Sequence, residues 1–225
     1  MWNQEQFNDI VVSRRRIGFQ ETDIKLKSGR TSRFYVNWRP QTDTVYEADV
    51  LGDWIADFLE HHRITTTCVY GVPEGATKAG HAATRVIAYK SGNPEQHTLA
   101  QGRSQPKPHG KLEDRYFVGA PKGDLVILED VTTTGQSLLD TIDTVVQLPN
   151  AKIIAVVGLT NRMERRDDEK SVAEAVAAKG FRYLAMSEAP SLLKLEYALR
   201  PPSHETTRLV EEEFEKYGIM PLKLR

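Results

Sequence analysis

Apolar and polar positions along the chain change period several times. Leu125-Val126-Ile127-Leu128 is an unbroken apolar run, as expected of a strand buried on both faces of a parallel sheet. Glu129-Asp130 falls where that strand should end. Thr132-Thr133-Thr134-Gly135-Gln136-Ser137 then leads into helical spacing at Leu138, Leu139, Ile142, Val145 and Val146. A second buried run, Ile153 to Leu159, precedes helical spacing at Val172, Ala175, Val176 and Lys179 that stops at Gly180. Phe181 to Met186 reads as a further strand. Upstream, Val50, Leu51, Ile55 and Phe58-Leu59 mark a helix, Thr65 to Tyr70 a strand, Ala82, Ala83, Val86 and Ile87 a helix, and His97 to Ala100 a short strand. This strand–helix alternation from about 46 to 186 predicts an α/β, doubly wound, mostly parallel sheet.

The two ends follow other patterns. Residues 3–17 have helical spacing through Phe7, Ile10 and Val11, and Arg14-Arg15-Arg16 closes the segment where cations suit the helix dipole. Ile24-Lys25-Leu26-Lys27 alternates like a strand, Ser28-Gly29-Arg30 turns, and Phe34-Tyr35-Val36-Asn37 returns, which predicts a hairpin apart from the parallel core. Two helices are expected near 190–199 and 203–217. The 225 residues are therefore expected to form one domain, with a core at about 46–186 and a cap built from 1–45 and 187–225. Gly102 to Gly123 fits none of these periods. It carries Arg103, Lys107, His109, Lys111 and Arg115, and its length and local charge predict a lid over an anion.

Composition narrows the functional classes. Thirty basic residues against 31 acidic ones leave no global case for nucleic-acid binding. A single cysteine, Cys68, excludes an internal disulfide. No apolar run is long enough to cross a bilayer, and MWNQEQFNDI has no basic-then-apolar signal pattern, so a soluble cytoplasmic protein is expected. His61, His62, His81, His97 and His204 show no metal-ligand spacing. The chemistry concentrates instead at Asp124 to Ser137. Backbone N–H groups of a small-residue turn at a helix N-terminus receive phosphate oxygens, with threonine and serine hydroxyls as further donors. Gly135 permits close approach of the backbone. Glu129 and Asp130 suit sugar hydroxyls or a Mg2+ ion. Neither Gly-x4-Gly-Lys-Ser/Thr nor G-x-G-x-x-G after a strand is present, which excludes the common nucleotide loops.

LVILEDVTTTGQS resembles the ribose-phosphate signature of type I phosphoribosyltransferases, which use phosphoribosyl pyrophosphate (PRPP). Three further stretches narrow the resemblance to orotate phosphoribosyltransferases. Leu26-Lys27-Ser28-Gly29-Arg30, with Ser32 and Phe34 to Asn37, resembles the N-terminal segment that closes over the pyrimidine. Arg103, Lys107 and His109-Gly110 match the mobile-loop pattern R-K-x-x-K-x-H-G. Asn161-Arg162-Met163-Glu164-Arg165 resembles the D-R-x-E-R segment whose first arginine holds orotate. The resemblance implies transfer of phosphoribosyl from PRPP to orotate, giving orotidine 5′-monophosphate and pyrophosphate in pyrimidine biosynthesis. It implies PRPP contacts from Glu129, Asp130, Thr132, Thr133, Thr134, Gly135, Gln136, Ser137, Arg103, Lys107 and His109. Orotate would meet Lys27, Phe34, Tyr35, Thr133 and Arg162. The catalytic set would be Asp130, Glu129, Lys107, Arg103 and His109, with Mg2+ bound mainly through PRPP and Asp130 as a further ligand. It also implies a homodimer in which lid residues 103–119 reach the partner's site.

Such a transfer passes through an oxocarbenium-like state, so it needs a held 5′-phosphate, carboxylates beside the ribose and cations on the leaving pyrophosphate. Three positions depart from the family pattern. Ser104 and Glu74 stand where lysines are common, and Asn161 replaces an aspartate. Two other readings remain open at this stage: the same chemistry on another nucleobase, and a PRPP-sensing regulator without catalysis.

Overall fold

The computed structural model describes residues 1–225. Helix α1 (Gln4–Ser13) starts where the Asn3 side chain accepts from the Gln6 N–H. It ends four residues before the expected 17, because Ile17 is taken by strand β1 (Ile17–Lys25), where it is buried opposite Val36 of β2 (Thr31–Val36). The chain makes that change of direction at Arg15, with φ 53°. β1 and β2 form the expected hairpin, antiparallel and separate from the main sheet. Leu26 and Lys27 lie in its turn rather than in the strand.

Helix α2 (Val45–His61) is capped by Thr44, then come β3 (Cys68–Gly71) and α3 (Thr77–Ser91), which stops at left-handed Gly92. The expected strand at His97 to Ala100 does not form. Its Thr98 N–H bonds to the Thr67 carbonyl beside β3, and one such contact is too little for a ladder. The segment expected to lack a period contains a five-residue helix, α4 (Leu112–Tyr116), folded back so that Phe117 bridges Gly102. Then follow β4 (Gly123–Thr132), α5 (Gln136–Val145), β5 (Ala151–Asn161), α6 (Val172–Ala177), β6 (Tyr183–Ala185), α7 (Ala189–Leu199) and α8 (His204–Tyr217).

The main sheet is parallel in the order β3-β4-β5-β6. One row crosses all four strands: Tyr70, Ile127, Val156 and Tyr183 are successive partners. Side chains alternate in layer. Val126, Leu128, Ala155 and Val157 join a core with residues of α1, α2, α3, α7 and α8, whereas Leu125, Ile127, Ile153 and Val156 join another with α5 and α6. Two covered faces explain why β4 and β5 have no polar alternation. The hairpin contributes Ile17, Phe34 and Val36 to the first core, and Phe34 stacks on Phe214 of α8 at 5.7 Å. Cys68 packs in the second core, where burial pushes its thiol up to about 12. No helix is long and apolar enough to cross a membrane.

β3 has β4 on one side and the 97–100 segment on the other, so the winding of the chain reverses between β3 and β4. The carboxyl ends of strands flanking such a reversal open into a crevice. Both the Val72–Ala76 turn and the Glu129–Ser137 stretch emerge there.

Ile127 is fully buried at the middle of that four-strand row. Ile127→Ala is expected to cost about 2–5 kcal/mol, read as a lowered midpoint in urea unfolding with an unchanged slope. A cost below about 1 kcal/mol would mean that the row is not the packed centre of the sheet.

Candidate active site

The crevice is a cleft of about 700 Å³ lined by 22 residues. A smaller pocket of about 310 Å³ adjoins it and shares Lys27, Pro73, Ser104, Ser137 and Asp140. At the end of β4, Glu129 and Asp130 both reach the cleft. Glu129 is only 7% exposed, and burial first, then the neighbouring Asp130 carboxylate, holds its carboxyl well above the ordinary range. Its Oε1 accepts from the Asp130 N–H at 3.3 Å. Asp130 lies so close to the opposite turn that a Cβ on Gly75 would come within 2.2 Å of its Oδ2. Gly75 therefore decides how near the β3 turn comes to the acidic pair, a role no sequence period shows.

The phosphate-type turn follows. Gly135, with φ 69°, is the residue before α5, and a Cβ there would press on Val172 at 3.0 Å. Thr133, Thr134, Gly135, Gln136 and Ser137 all line the cleft. Arg166 donates to the Thr134 carbonyl, and Gln136 donates to Asp140 at 2.7 Å, so both sides of the turn are tied down. Lys27 reaches over from the hairpin turn and its Nζ donates to Ser137 Oγ at 2.9 Å. Thr132 is a correction. It is fully buried and its hydroxyl meets Tyr183 Oη at 2.7 Å, because strand alternation turns it into the protein, away from the cleft.

At the other end of the cleft stand Tyr35, Val36, Arg39 and Arg162. Phe34 is the second correction. β2 alternates, so Tyr35 is 41% exposed while Phe34 is fully buried beneath Arg162, whose guanidinium carbon stands 3.8 Å from its ring centroid. Arg162 is itself almost wholly buried. Its Nε donates to Glu164 at 2.6 Å and its Nη2 to Glu213 at 2.7 Å and Ser32 at 2.9 Å. Asn161 keeps a backbone role: its side-chain oxygen accepts from the Met163 N–H at 2.9 Å, where φ is 59°, and an amide serves there as well as a carboxylate.

The lid candidates separate. Arg103 lines the smaller pocket and Ser104 both, whereas Lys107 and His109 line neither and are exposed. Lys107 and Arg115 exchange contacts, the Lys107 N–H donating to the Arg115 carbonyl and Arg115 Nε to the Lys107 carbonyl. Glu74 lines the cleft, but Lys78 turns away to the Thr42 carbonyl at 3.3 Å. Arg39, which has no side-chain partner, and Asp140 are cleft residues that motif reading passed over; their only signal is position after the hairpin and one turn into α5.

No cluster of three or more His, Cys, Asp or Glu residues is arranged to hold a metal. Two adjacent carboxylates, one of them raised by burial, fit a hydrated cation held mostly by a ligand's own oxygens.

The orotate phosphoribosyltransferase of Francisella tularensis shares the fold, with a TM-score of 0.66 at 19% identity over 95% of this chain and 99% of that one. A doubly wound sheet with this turn at its switch point is thus the phosphoribosyltransferase fold. No protein-family model matches the chain. The orotate phosphoribosyltransferase of Polynucleobacter asymbioticus is 32% identical over 165 residues, covering 72% of this chain and 70% of its own. That of Methylococcus capsulatus is 30% identical over 191 residues, 80% of this chain and 86% of its own. The chain belongs to the orotate phosphoribosyltransferase family.

A carboxyl held high in the folded state stabilises the fold below its unfolded value of about 4.5, and that stability is lost as pH rises toward the folded value. Glu129→Gln removes the titration. Its melting temperature relative to wild type is therefore expected to climb as pH rises above the unfolded value of about 4.5. A difference independent of pH would show that Glu129 ionises as readily folded as unfolded.

Proposed function

We propose that the chain transfers the 5-phosphoribosyl group of PRPP to orotate, giving orotidine 5′-monophosphate and pyrophosphate. The observation that carries this reading is one cleft that joins the Thr133–Ser137 turn, the Glu129–Asp130 pair, Tyr35 and Arg162 at a sheet switch point. The 5′-phosphate binds along the turn, where N–H groups at the α5 N-terminus and the Ser137 and Thr134 hydroxyls donate to it. Lys27, already on Ser137, adds a cation at that end. Asp130 receives the ribose hydroxyls, and its charge favours the cationic ring that develops. As the bond from C1 to pyrophosphate breaks, the deprotonated ring nitrogen of orotate bonds to the same carbon, and pyrophosphate leaves with the electron pair. Asp130 would help hold a magnesium ion brought in with PRPP, and that ion would supply positive charge against the leaving group. Tyr35 covers the pyrimidine, Thr133 borders it, and Arg162 supplies a donor edge for its anionic side.

The expected result is loss of orotate absorbance with PRPP and magnesium, and none of the corresponding turnover with uracil, hypoxanthine or xanthine. Asp130→Asn is expected to reduce that rate by at least about 100-fold, equivalent to about 2.7 kcal/mol of transition-state stabilisation, with a melting temperature close to wild type. PRPP binding without turnover of any base would instead make the chain a sensor.

The lid residues Arg103, Lys107 and His109 serve the pyrophosphate, and residues 103–119 act on the partner's site in a homodimer. Lys107 and His109 lie outside the cleft of their own chain, which supports action across an interface. Hybrids of an Asp130→Asn subunit with a Lys107→Ala subunit are expected to regain activity, since one of their two sites has both groups intact. Verified hybrids that stay inactive would confine the lid to its own chain.

A further inference from the structure

We propose that Glu213, far along the sequence on α8, is the positioning residue that fixes which edge of Arg162 meets the substrate base. The inference rests on the orotate reading above and adds to it a residue outside every motif in the cleft. Arginine has five N–H donors in a rigid plane, so its partners decide which of them stay available. Here Nε is taken by Glu164 and Nη2 by both Glu213 and Ser32. Nη1 has only the Phe34 carbonyl, at 3.5 Å. The guanidinium plane rests on the Phe34 ring. Arg162 lines the cleft although only 1% of it is exposed, so what it offers a ligand is one edge and not an open fork.

Glu213 is placed to hold that edge. Its Oε1 faces Nη2 at 2.7 Å, while its Oε2 accepts from the Ser32 hydroxyl at 3.0 Å and from the Arg33 N–H at 3.3 Å. One buried carboxylate thus joins the arginine after β5 to the start of β2, whose next outward residue is Tyr35. Glu164 completes the arrangement by pairing with Arg30 of the hairpin turn at 3.0 Å. Within the buried part of the cluster two arginines face two glutamates, and Arg30 reaches a third carboxylate, the exposed Asp167, at 2.9 Å. Removing Glu213 leaves Nη2 with the Ser32 hydroxyl as its remaining partner, and leaves Arg162 with a buried charge facing one carboxylate instead of two. The base then meets an arginine held less firmly along that edge. The phosphate turn on α5 is untouched.

The test measures KM for orotate and for PRPP separately in wild type, Glu213→Ala, Glu213→Gln and Ser32→Ala. Glu213→Ala is expected to raise KM for orotate about tenfold, equivalent to about 1.4 kcal/mol, with KM for PRPP within about twofold of wild type. Glu213→Gln keeps an acceptor for Nη2 and is expected to recover most of the loss. Ser32→Ala is expected to show a smaller rise, again in orotate alone. If Glu213→Ala does not fold, Ser32→Ala decides by the same split, and an unchanged KM for orotate in it overturns the inference. Equal changes in both KM values, or a lowered melting temperature with both unchanged, would overturn the inference and leave Glu213 a structural residue. Wild type without orotate turnover would defeat the function reading instead. The same variants would then be compared on the base that is turned over, where an unmoved KM for that base overturns the inference.

Discussion

Everything in this protein is arranged around a strand that has no polar face. The run Leu125 to Leu128 is fully buried because helices cover both sides of the sheet, and β3 and β5 satisfy its backbone on both edges. A strand in that position cannot carry charge until it leaves the layers. Glu129 and Asp130 come where it does, followed by a turn whose backbone donors are free because α5 is only beginning. The acidic pair and the small-residue turn are therefore neighbours by covalent connection. The switch in winding between β3 and β4 is what opens space in front of them.

The second constraint is the charge buried beneath the cap. Arg162, Glu164 and Glu213 are each nearly inaccessible, and breaking such a group by removing one member costs far more than the pair contributes when intact. The cluster fixes the relation of three distant pieces of chain: the hairpin through Arg30 and Ser32, the end of β5, and α8. Burial first, then nearby Glu164 and against the pull of Arg162, pushes the Glu213 carboxyl up to about 7. The hairpin and last helix are in this way not mere covers. They set the wall of the cleft at Tyr35 and Arg162.

The departures from the family pattern divide by the same physics. Asn161 replaces an aspartate with little consequence, because what the position requires is one acceptor for a backbone N–H. Glu74 differs in kind, since it brings an anion to the cleft wall while Lys78 turns elsewhere. Arg39 brings a cation to the same cleft from an unrelated element, the short turn after β2. Charge in a cleft is a sum over walls, and its terms need not come from the same motif.

The sequence by itself determined the alternation of elements, the two-sided burial of β4 and β5, the hairpin, and the order of phosphate turn and acidic pair. Each of these follows from local period or from neighbours along the chain. It also carried the family, because four motifs stand in order. Only the tertiary structure decided which side of a strand faces the cleft. Thr132 and Phe34 belong to the right segments yet point inward, since one residue of register turns a side chain from cleft to core. The same holds for the 97–100 segment, whose apolar character fits a strand but whose backbone makes a single bond to the backbone beside β3. Arg162 was expected at the site and lines the cleft, but nothing in the sequence marked it as already held by Glu164 and Glu213, the latter 51 residues away. Ion pairs of that span have no period and no motif. They exist only once folding has closed the chain around them.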